Sequence, residues 1–226
     1  MRTRTLAVTT VVAGMAAFLL QAQGLTREAR DAMTPAQALA LLEQGNARFA
    51  AGKREHRDYS AELRASAANQ YPFAAVVSCM DSRAPAEILF DRGIGEMFSL
   101  RGAGPVIDDD VLGGLEFATR VMGVKLIVVL GHSNCGAVKG AIDGAELGHL
   151  TQLLAKIQPV IPKPIPAAKS KDDAFVARVA EANVRNAMKE IPSRSPVIQE
   201  LLQSGKVRLA GGMYDLTTGK VTFYRD

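Results

Sequence analysis

Residues 125–136 read Lys-Leu-Ile-Val-Val-Leu-Gly-His-Ser-Asn-Cys-Gly, and they are the clearest indication of the fold class. The continuous apolar run at 126–130 predicts the strongest strand in the chain, over 125–130. His132 and Cys135 follow this strand at once, and a helix is expected to begin near Gly136. A buried strand that leads directly into a helix is typical of a parallel sheet.

The same layout occurs earlier in the chain. Residues 73–78, Phe-Ala-Ala-Val-Val-Ser, form a second apolar run, and Cys79, Asp81 and Arg83 come after it. Further strands are predicted at 96–100 and, as a closing hairpin or strand pair, at 207–213 and 221–224. Helices are predicted at 34–52, 61–68, 85–90, 108–122, 172–189 and 195–203. Strands that alternate with helices predict an α/β fold with a mostly parallel central β-sheet flanked by helices.

The region in front of this sheet predicts a helical arm over about 34–70. Thr34 precedes Pro35, which is the pattern of an N-cap followed by proline at the first helical position. Asp108, Asp109 and Asp110 stand at the start of the helix predicted at 108–122, where negative charge stabilises a helix N-terminus.

The first 24 residues have a different character. Arg2 and Arg4 precede an uncharged apolar run over 6–20, and Ala22 and Gly24 supply small residues before a cleavage point. This plan is typical of a secretory signal peptide. An uncleaved membrane anchor is disfavoured because the run is shorter than the roughly 20 residues that span a bilayer. We therefore expect a periplasmic or secreted protein with no stable membrane insertion after cleavage.

Composition narrows the class of protein. The chain has 226 residues, 48% hydrophobic and 22% charged, which suits one globular domain with a sizeable core. The formal charge of +4 is not gathered into a basic stripe with interleaved aromatics. We therefore expect no nucleic-acid partner.

The reactive residues after the two strands predict a metal site. Ligand sites in open parallel sheets lie beyond the carboxyl ends of strands, where the strand order switches. Cys79, His132 and Cys135 would meet there if their strands are neighbours. Two sulfurs and one imidazole suit zinc, and three protein ligands leave one position open, as in catalytic zinc sites.

Asp81 and Arg83 favour a catalytic role for this site. A carboxylate near the metal can accept a hydrogen bond from water, and an adjacent guanidinium can orient it and keep it ionised. Alternatively, Asp81 itself takes the fourth zinc position and closes the site. Arg83 would then pair with Asp81 in the open state and release it in the closed state.

One other reading of the two cysteines remains. In an oxidising compartment Cys79 and Cys135 would by default form a disulfide, whereas zinc needs both as thiolates. The other histidines, His56 and His149, lie in a polar stretch and at an expected helix start, and we assign neither a direct role.

Taken together, Cys79-Met-Asp-Ser-Arg83 and Gly131-His-Ser-Asn-Cys-Gly-Ala137 resemble the beta-class carbonic anhydrases, and the two motifs stand in the family's order and at a typical separation. The resemblance runs from about Pro35 to the C-terminus. It also includes the segments 42–49, 90–98, 110–117, 123–132 and 214–221.

This resemblance implies that residues 25–226 form one zinc-dependent catalytic domain that hydrates carbon dioxide reversibly to bicarbonate and a proton. It implies one Zn²⁺ per subunit on Cys79, His132 and Cys135, with zinc-bound hydroxide as the attacking group. It implies Asp81 and Arg83 as the catalytic pair, with Asp81 a fourth ligand in regulated members. It also implies a homodimer or a dimer of dimers.

The sequence departs from the family at two positions, Arg92, where many members carry Gln, and Pro105, where many carry Asn. The Trp of the bicarbonate-inhibited subset is absent, so that regulation is not carried over. Two alternative functions use the same ligands: hydrolysis of a related heterocumulene, CS₂ or COS, and non-catalytic zinc binding.

Overall fold

The computed structural model describes residues 25–224. Its strands are β1 (Ala74–Cys79), β2 (Met97–Gly102), β3 (Leu126–His132), β4 (Arg208–Tyr214) and β5 (Val221–Phe223). Its α-helices are α1 (Arg27–Ala32), α2 (Pro35–Ala50), α3 (Tyr59–Ser66), α4 (Ala86–Leu89), α5 (Asp109–Glu116), α6 (Gly136–Asp143), α7 (Gly148–Ala155), α8 (Asp173–Arg194) and α9 (Pro196–Gln203).

The five strands form one sheet in the order β2-β1-β3-β4-β5. The first four are parallel to one another, and β5 pairs antiparallel with β4. This confirms the predicted mostly parallel sheet and the closing strand pair. The order switches between β1 and β3, because the chain moves outward from β1 to β2 and then returns past β1 to form β3.

Helices cover both faces of the sheet, which explains the continuous apolar runs. Every residue of β1 and β3 is buried. Val76 and Val128 face a cluster with α2 and α4, whereas Val77 and Val129 face a cluster with α5, α8 and α9. A strand buried on both faces needs apolar residues at every position rather than at alternate ones.

The predicted N-terminal helix begins where the sequence indicated. Thr34 Oγ1 accepts from Gln37 N at 3.2 Å and Gln37 Oε1 accepts from Thr34 N at 2.8 Å, which forms a capping box. Such a cap stabilises a helix by about 1 kcal/mol. Ala38 and Leu42 of α2 are fully buried against the sheet.

Several boundaries differ from the prediction. Cys79 and His132 are the last residues of β1 and β3, not the first residues after them. The helix predicted at 108–122 changes at Phe117–Val121 into a π-helical turn, in which Met122 N donates to Phe117 O at 3.0 Å. Helix α1 was not predicted, and for α7 the sequence indicated only a helix start at His149, one residue after Gly148, where the helix begins.

The expected signal peptide, residues 1–24, lies outside the described residues. Within residues 25–224, no helix combines the length and the hydropathy needed to cross a membrane.

Candidate metal centre

The switch in strand order brings Cys79 and His132 to the same edge of the sheet. Strands β1 and β3 are paired in register from Ala74 with Leu126 to Ser78 with Leu130. Cys79 therefore stands one residue beyond the last pair and His132 two residues beyond it. Side chains at the carboxyl ends of adjacent parallel strands meet in the crevice between them, as the sequence predicted.

A short turn places Cys135 beside them. Asn134 has a φ of 55°, a left-handed conformation that Asn tolerates better than most residues. Ser133 N donates to Tyr214 O at 2.9 Å, which fixes the turn to β4. Cys135 is the N-cap of α6, and the exposed backbone N–H groups of a helix N-terminus stabilise a thiolate.

The three side chains form a group with metal-ligand spacing. One ligand atom from each of Cys79, His132 and Cys135 lies within 4.8 Å of the others, and all three residues are buried. The two Sγ atoms are 3.9 Å apart, and both thiols are free. A disulfide requires about 2.0 Å, whereas a tetrahedral ion with zinc–sulfur bonds of about 2.3 Å holds two sulfurs about 3.8 Å apart.

His132 presents a buried nitrogen to this group. Its Nδ1 lies 2.8 Å from Ser133 O, which fixes the ring. Its Nε2 is buried and has no hydrogen-bond partner among the described residues. A buried, unpartnered nitrogen costs free energy unless something binds it, so Nε2 is the third donor that a metal would use.

The pKa values of the two thiols are shifted in opposite directions. The pKa of Cys79 is lowered, chiefly because the Cys135 thiol donates to its sulfur, and Gly104 N adds a second donor at 3.4 Å. The pKa of Cys135 is raised because its proton is held by Cys79 and because its sulfur is buried. A divalent cation between the sulfurs would replace that shared proton and let both become thiolates.

Asp81 and Arg83 form an ion pair at the mouth of this group. Arg83 Nε donates to Asp81 Oδ1 at 2.9 Å and Arg83 Nη2 donates to Oδ2 at 2.7 Å. These bonds hold the pKa of Asp81 well below its usual range, although burial opposes them. Asp81 Oδ2 is also 3.8 Å from His132 Nε2. Of the two arrangements left open by the sequence, the structure has Asp81 paired with Arg83.

Sequence reasoning missed two residues that contact this site. Arg101, the register partner of Ser78 on β2, donates from Nε to Cys79 O at 3.1 Å and from Nη2 to Asp81 O at 2.7 Å. Gly104 has a φ of 83°, which turns its N–H towards the Cys79 sulfur. Only the pairing of β2 with β1 brings them here, so no local pattern marked them.

The two departures from the family lie in different places. Arg92 donates to Phe90 O at 2.9 Å and to Leu41 O at 3.3 Å, so its side chain lies on the α2 and α4 side of the sheet. Pro105 follows Gly104 and accepts a 3.2 Å hydrogen bond from Asn183, so it does adjoin the site. His56 and His149 are exposed and do not belong to the Cys-His-Cys group.

Comparison of the sequence with known families and proteins gives one consistent result. A family model described as carbonic anhydrase matches residues 74–221. A carbonic anhydrase of Mycolicibacterium smegmatis is 42% identical over 193 residues, which cover 83% of this chain and 92% of that protein. Carbonic anhydrase 2 of Mycobacterium tuberculosis is 38% identical over 192 residues, covering 82% and 91%.

Solved structures agree with the sequence matches. The β-carbonic anhydrase CafA of Aspergillus fumigatus superposes with a TM-score of 0.66 at 27% identity, covering 84% of this chain and 89% of that one. A tetrameric β-carbonic anhydrase of Sordaria macrospora gives a TM-score of 0.64 at 26% identity, covering 71% and 84%.

Proposed function

The chain belongs to the beta-class carbonic anhydrases, zinc enzymes that hydrate carbon dioxide, and from this premise we propose how its own residues do so. Cys79, His132 and Cys135 hold one Zn²⁺ per subunit, and Asp81 and Arg83 are the catalytic pair. The observation that carries this assignment is the group of three buried donor atoms within 4.8 Å, one of them the unpartnered His132 Nε2.

Apolar side chains form the wall of the proposed metal site. When bound, zinc supplies a Lewis acid that lowers the pKa of a water molecule from 15.7 towards about 7. Val106 and Val138 pack in the same buried cluster as the two cysteines, so the wall of the site is apolar and strengthens local electrostatic interactions. Carbon dioxide, which is uncharged, is compatible with such a wall.

Asp81 and Arg83 orient the attacking water. Arg83 keeps Asp81 ionised, so its carboxylate only accepts hydrogen bonds. Asp81 Oδ2 lies 3.8 Å from His132 Nε2, so it would be close to a water molecule on a metal held by that nitrogen. A carboxylate there fixes the direction of an O–H bond and leaves an oxygen lone pair free to attack carbon dioxide, which yields bicarbonate and a proton.

A stopped-flow hydration assay on protein with measured zinc content tests this proposal. We expect turnover in proportion to bound zinc, with about one zinc per subunit. Full zinc occupancy without hydration at any pH would instead indicate a zinc-binding protein, and turnover only of CS₂ or COS would indicate a heterocumulene hydrolase. Two free thiols after chelation and unfolding would exclude a Cys79–Cys135 disulfide.

The assembly that we propose is a homodimer or a dimer of dimers, since the Sordaria macrospora relative is described as tetrameric. The dimer contact is the β2 edge surface, formed by Phe98, Leu100, Phe117 and Val121. Strand β2 stands at one end of the strand order, so within residues 25–224 no other strand pairs with its outer edge. Phe117 and Val121 are 49% and 68% exposed, and Phe98 lies 6.3 Å from Phe117 between ring centroids.

Light scattering after size exclusion tests this surface. Val121→Asp should shift the protein towards monomer, because a charge would be buried in the contact. Leu147→Asp is the matched control, since Leu147 is 71% exposed but lies before α7, away from β2 in the chain. An unchanged mass for Val121→Asp would contradict the β2 edge surface as the contact.

Export is also a proposal. The charged start and the apolar run of residues 1–24 support a cleaved signal and a periplasmic or secreted enzyme. Mass spectrometry of the native protein should find a mature N-terminus close to Leu25. An intact Met1 on the membrane-bound protein would favour an anchor.

A further inference from the structure

Arg101 fixes the backbone that carries Asp81. Beyond Cys79, strand β1 loses its regular pairing with β2, although Met80 N still donates to Gly102 O at 2.6 Å. The Arg101 guanidinium then bonds the carbonyl oxygens of Cys79 and Asp81, on either side of Met80, at 3.1 Å and 2.7 Å. The planar, charged Arg101 guanidinium thus links the backbone of Cys79, a proposed metal ligand, to the backbone of Asp81.

The Asp81 carbonyl is fixed from two directions. It accepts from Arg101 Nη2 and also from Ala84 N at 3.0 Å, in the turn that follows β1. Arg83 N donates to Asp81 Oδ1 at 2.9 Å, so the same turn directs the carboxylate towards Arg83. Rotation of the Asp81 peptide would therefore break a bond to Arg101 and disturb the bond to Arg83.

Only a small displacement separates this arrangement from one in which Asp81 binds the metal. Asp81 Oδ2 is 3.8 Å from His132 Nε2. In a tetrahedral zinc site the zinc–nitrogen and zinc–oxygen bonds are about 2.0–2.1 Å long. The nitrogen and oxygen atoms are then about 3.3 Å from each other. Because the carboxylate is so near to ligand distance, bonds that anchor its backbone add to the Arg83 ion pair in opposing that displacement.

We propose that Arg101 is a positioning residue that keeps the site open: its bonds to the Cys79 and Asp81 carbonyls prevent the Asp81 carboxylate from taking the fourth metal position. This inference rests on the proposed metal site and catalytic pair. It makes a prediction about anion access to the metal that does not depend on turnover.

The test uses the full-length mature protein with cobalt in place of zinc, titrated with sodium azide and followed by its visible spectrum. We expect Arg101→Gln to bind cobalt fully but azide about fivefold more weakly than wild type, as when the open fraction falls to about one fifth. Arg101→Lys, which keeps the charge but not the fork of donors, should give an intermediate value. Arg54→Gln, at an exposed position, is the charge control.

A second substitution, at Asp81, distinguishes a positioning role of Arg101 from general damage to the metal site. Asp81→Asn removes the competing carboxylate, so Arg101→Gln/Asp81→Asn should bind azide as tightly as Asp81→Asn alone. Equal azide affinity in wild type and Arg101→Gln would overturn the inference, as would a double variant that stays weak. Failure of the proposed function is distinguishable, because wild-type protein would then lack hydration activity or fail to bind cobalt. Light scattering of each variant shows whether the assembly is unchanged.

Discussion

The Arg83 guanidinium holds the Asp81 carboxylate by two parallel hydrogen bonds, Nε to Oδ1 at 2.9 Å and Nη2 to Oδ2 at 2.7 Å. This pairing keeps Asp81 as a hydrogen-bond acceptor beside the Cys-His-Cys group. The first prediction therefore concerns Asp81→Asn, whose amide has the same size but no charge. We expect it to fold and bind zinc while kcat/KM falls by about ten- to a hundredfold.

Stopped-flow hydration with zinc analysis measures both properties. Asp173→Asn, at an exposed position in the first turn of α8, is the matched control and should retain activity. Near-normal turnover in Asp81→Asn would remove Asp81 from the mechanism.

The second prediction concerns the ligands. Cys79→Ser and Cys135→Ser should each lose most bound zinc, because a serine hydroxyl does not ionise near neutral pH and is a poor zinc ligand. Elemental analysis after gel filtration measures zinc per subunit, and circular dichroism shows whether the fold persists. A variant that keeps one tightly bound zinc would exclude that cysteine from the ligand set.

The pH dependence of hydration follows from the charge of the ligands. Two thiolates cancel the charge of Zn²⁺, so the metal should acidify water less than it does with three neutral imidazoles. Arg83 holds the pKa of Asp81 well below its usual range, so Asp81 stays ionised near neutrality and does not cause the change. We expect kcat/KM to rise from neutral into mildly alkaline pH, above about pH 7. A profile already flat below neutrality contradicts this expectation.

Tyr224 gives a prediction for stability at alkaline pH. Burial raises its pKa, and its hydroxyl has no partner among the described residues. Unfolded Tyr224 ionises near pH 10, whereas folded Tyr224 keeps its proton. The folded state thus binds more protons above pH 10, and the free energy of unfolding falls as pH rises.

Tyr224→Phe should remove this loss and, by deleting an unpartnered buried hydroxyl, raise stability at pH 7 by roughly 1 kcal/mol. Urea unfolding at pH 7 and above pH 10 measures both effects. Tyr59→Phe is the control, because Tyr59 is 52% exposed and should change little. If the Tyr224→Phe and wild-type curves stay parallel across this range, Tyr224 is not the source of the alkaline loss.

Gly45 gives a prediction for the contact between α2 and the C-terminal end of α4, where Phe90 is the C-cap. A Cβ at this position would overlap the carbonyl oxygen of Phe90, which is backbone and cannot move aside cheaply. Gly45→Ala should therefore destabilise the protein by more than about 2 kcal/mol. Gly113→Ala is the control, since its Cβ would meet no atom within 4 Å and Ala favours the helix by about 0.5–1 kcal/mol. Thermal unfolding compares the two, and equal melting temperatures would contradict the close approach.

Local sequence patterns predicted the two central strands, two helix starts and a candidate metal site. The runs at 73–78 and 125–130 indicated β1 and β3, since strands buried on both faces need apolar residues throughout. Thr34 and Asp108 marked helix starts because capping involves only residues three apart. The placement of two thiols and an imidazole after two predicted strands also indicated a zinc site, because these ligand types suit that ion.

The tertiary structure decided what depends on contacts between distant segments. Cys79 and Cys135 reach 3.9 Å only because β1 and β3 are neighbours across the switch in strand order. The hydrogen bonds from Arg101 to the Cys79 and Asp81 carbonyl oxygens depend on the pairing of β2 with β1. Asp81 and Arg83 are close in sequence, yet whether the carboxylate faces Arg83 or the metal depends on that surrounding backbone. Strand order and register are set by burial over the whole sheet, so short-range periodicity does not contain them.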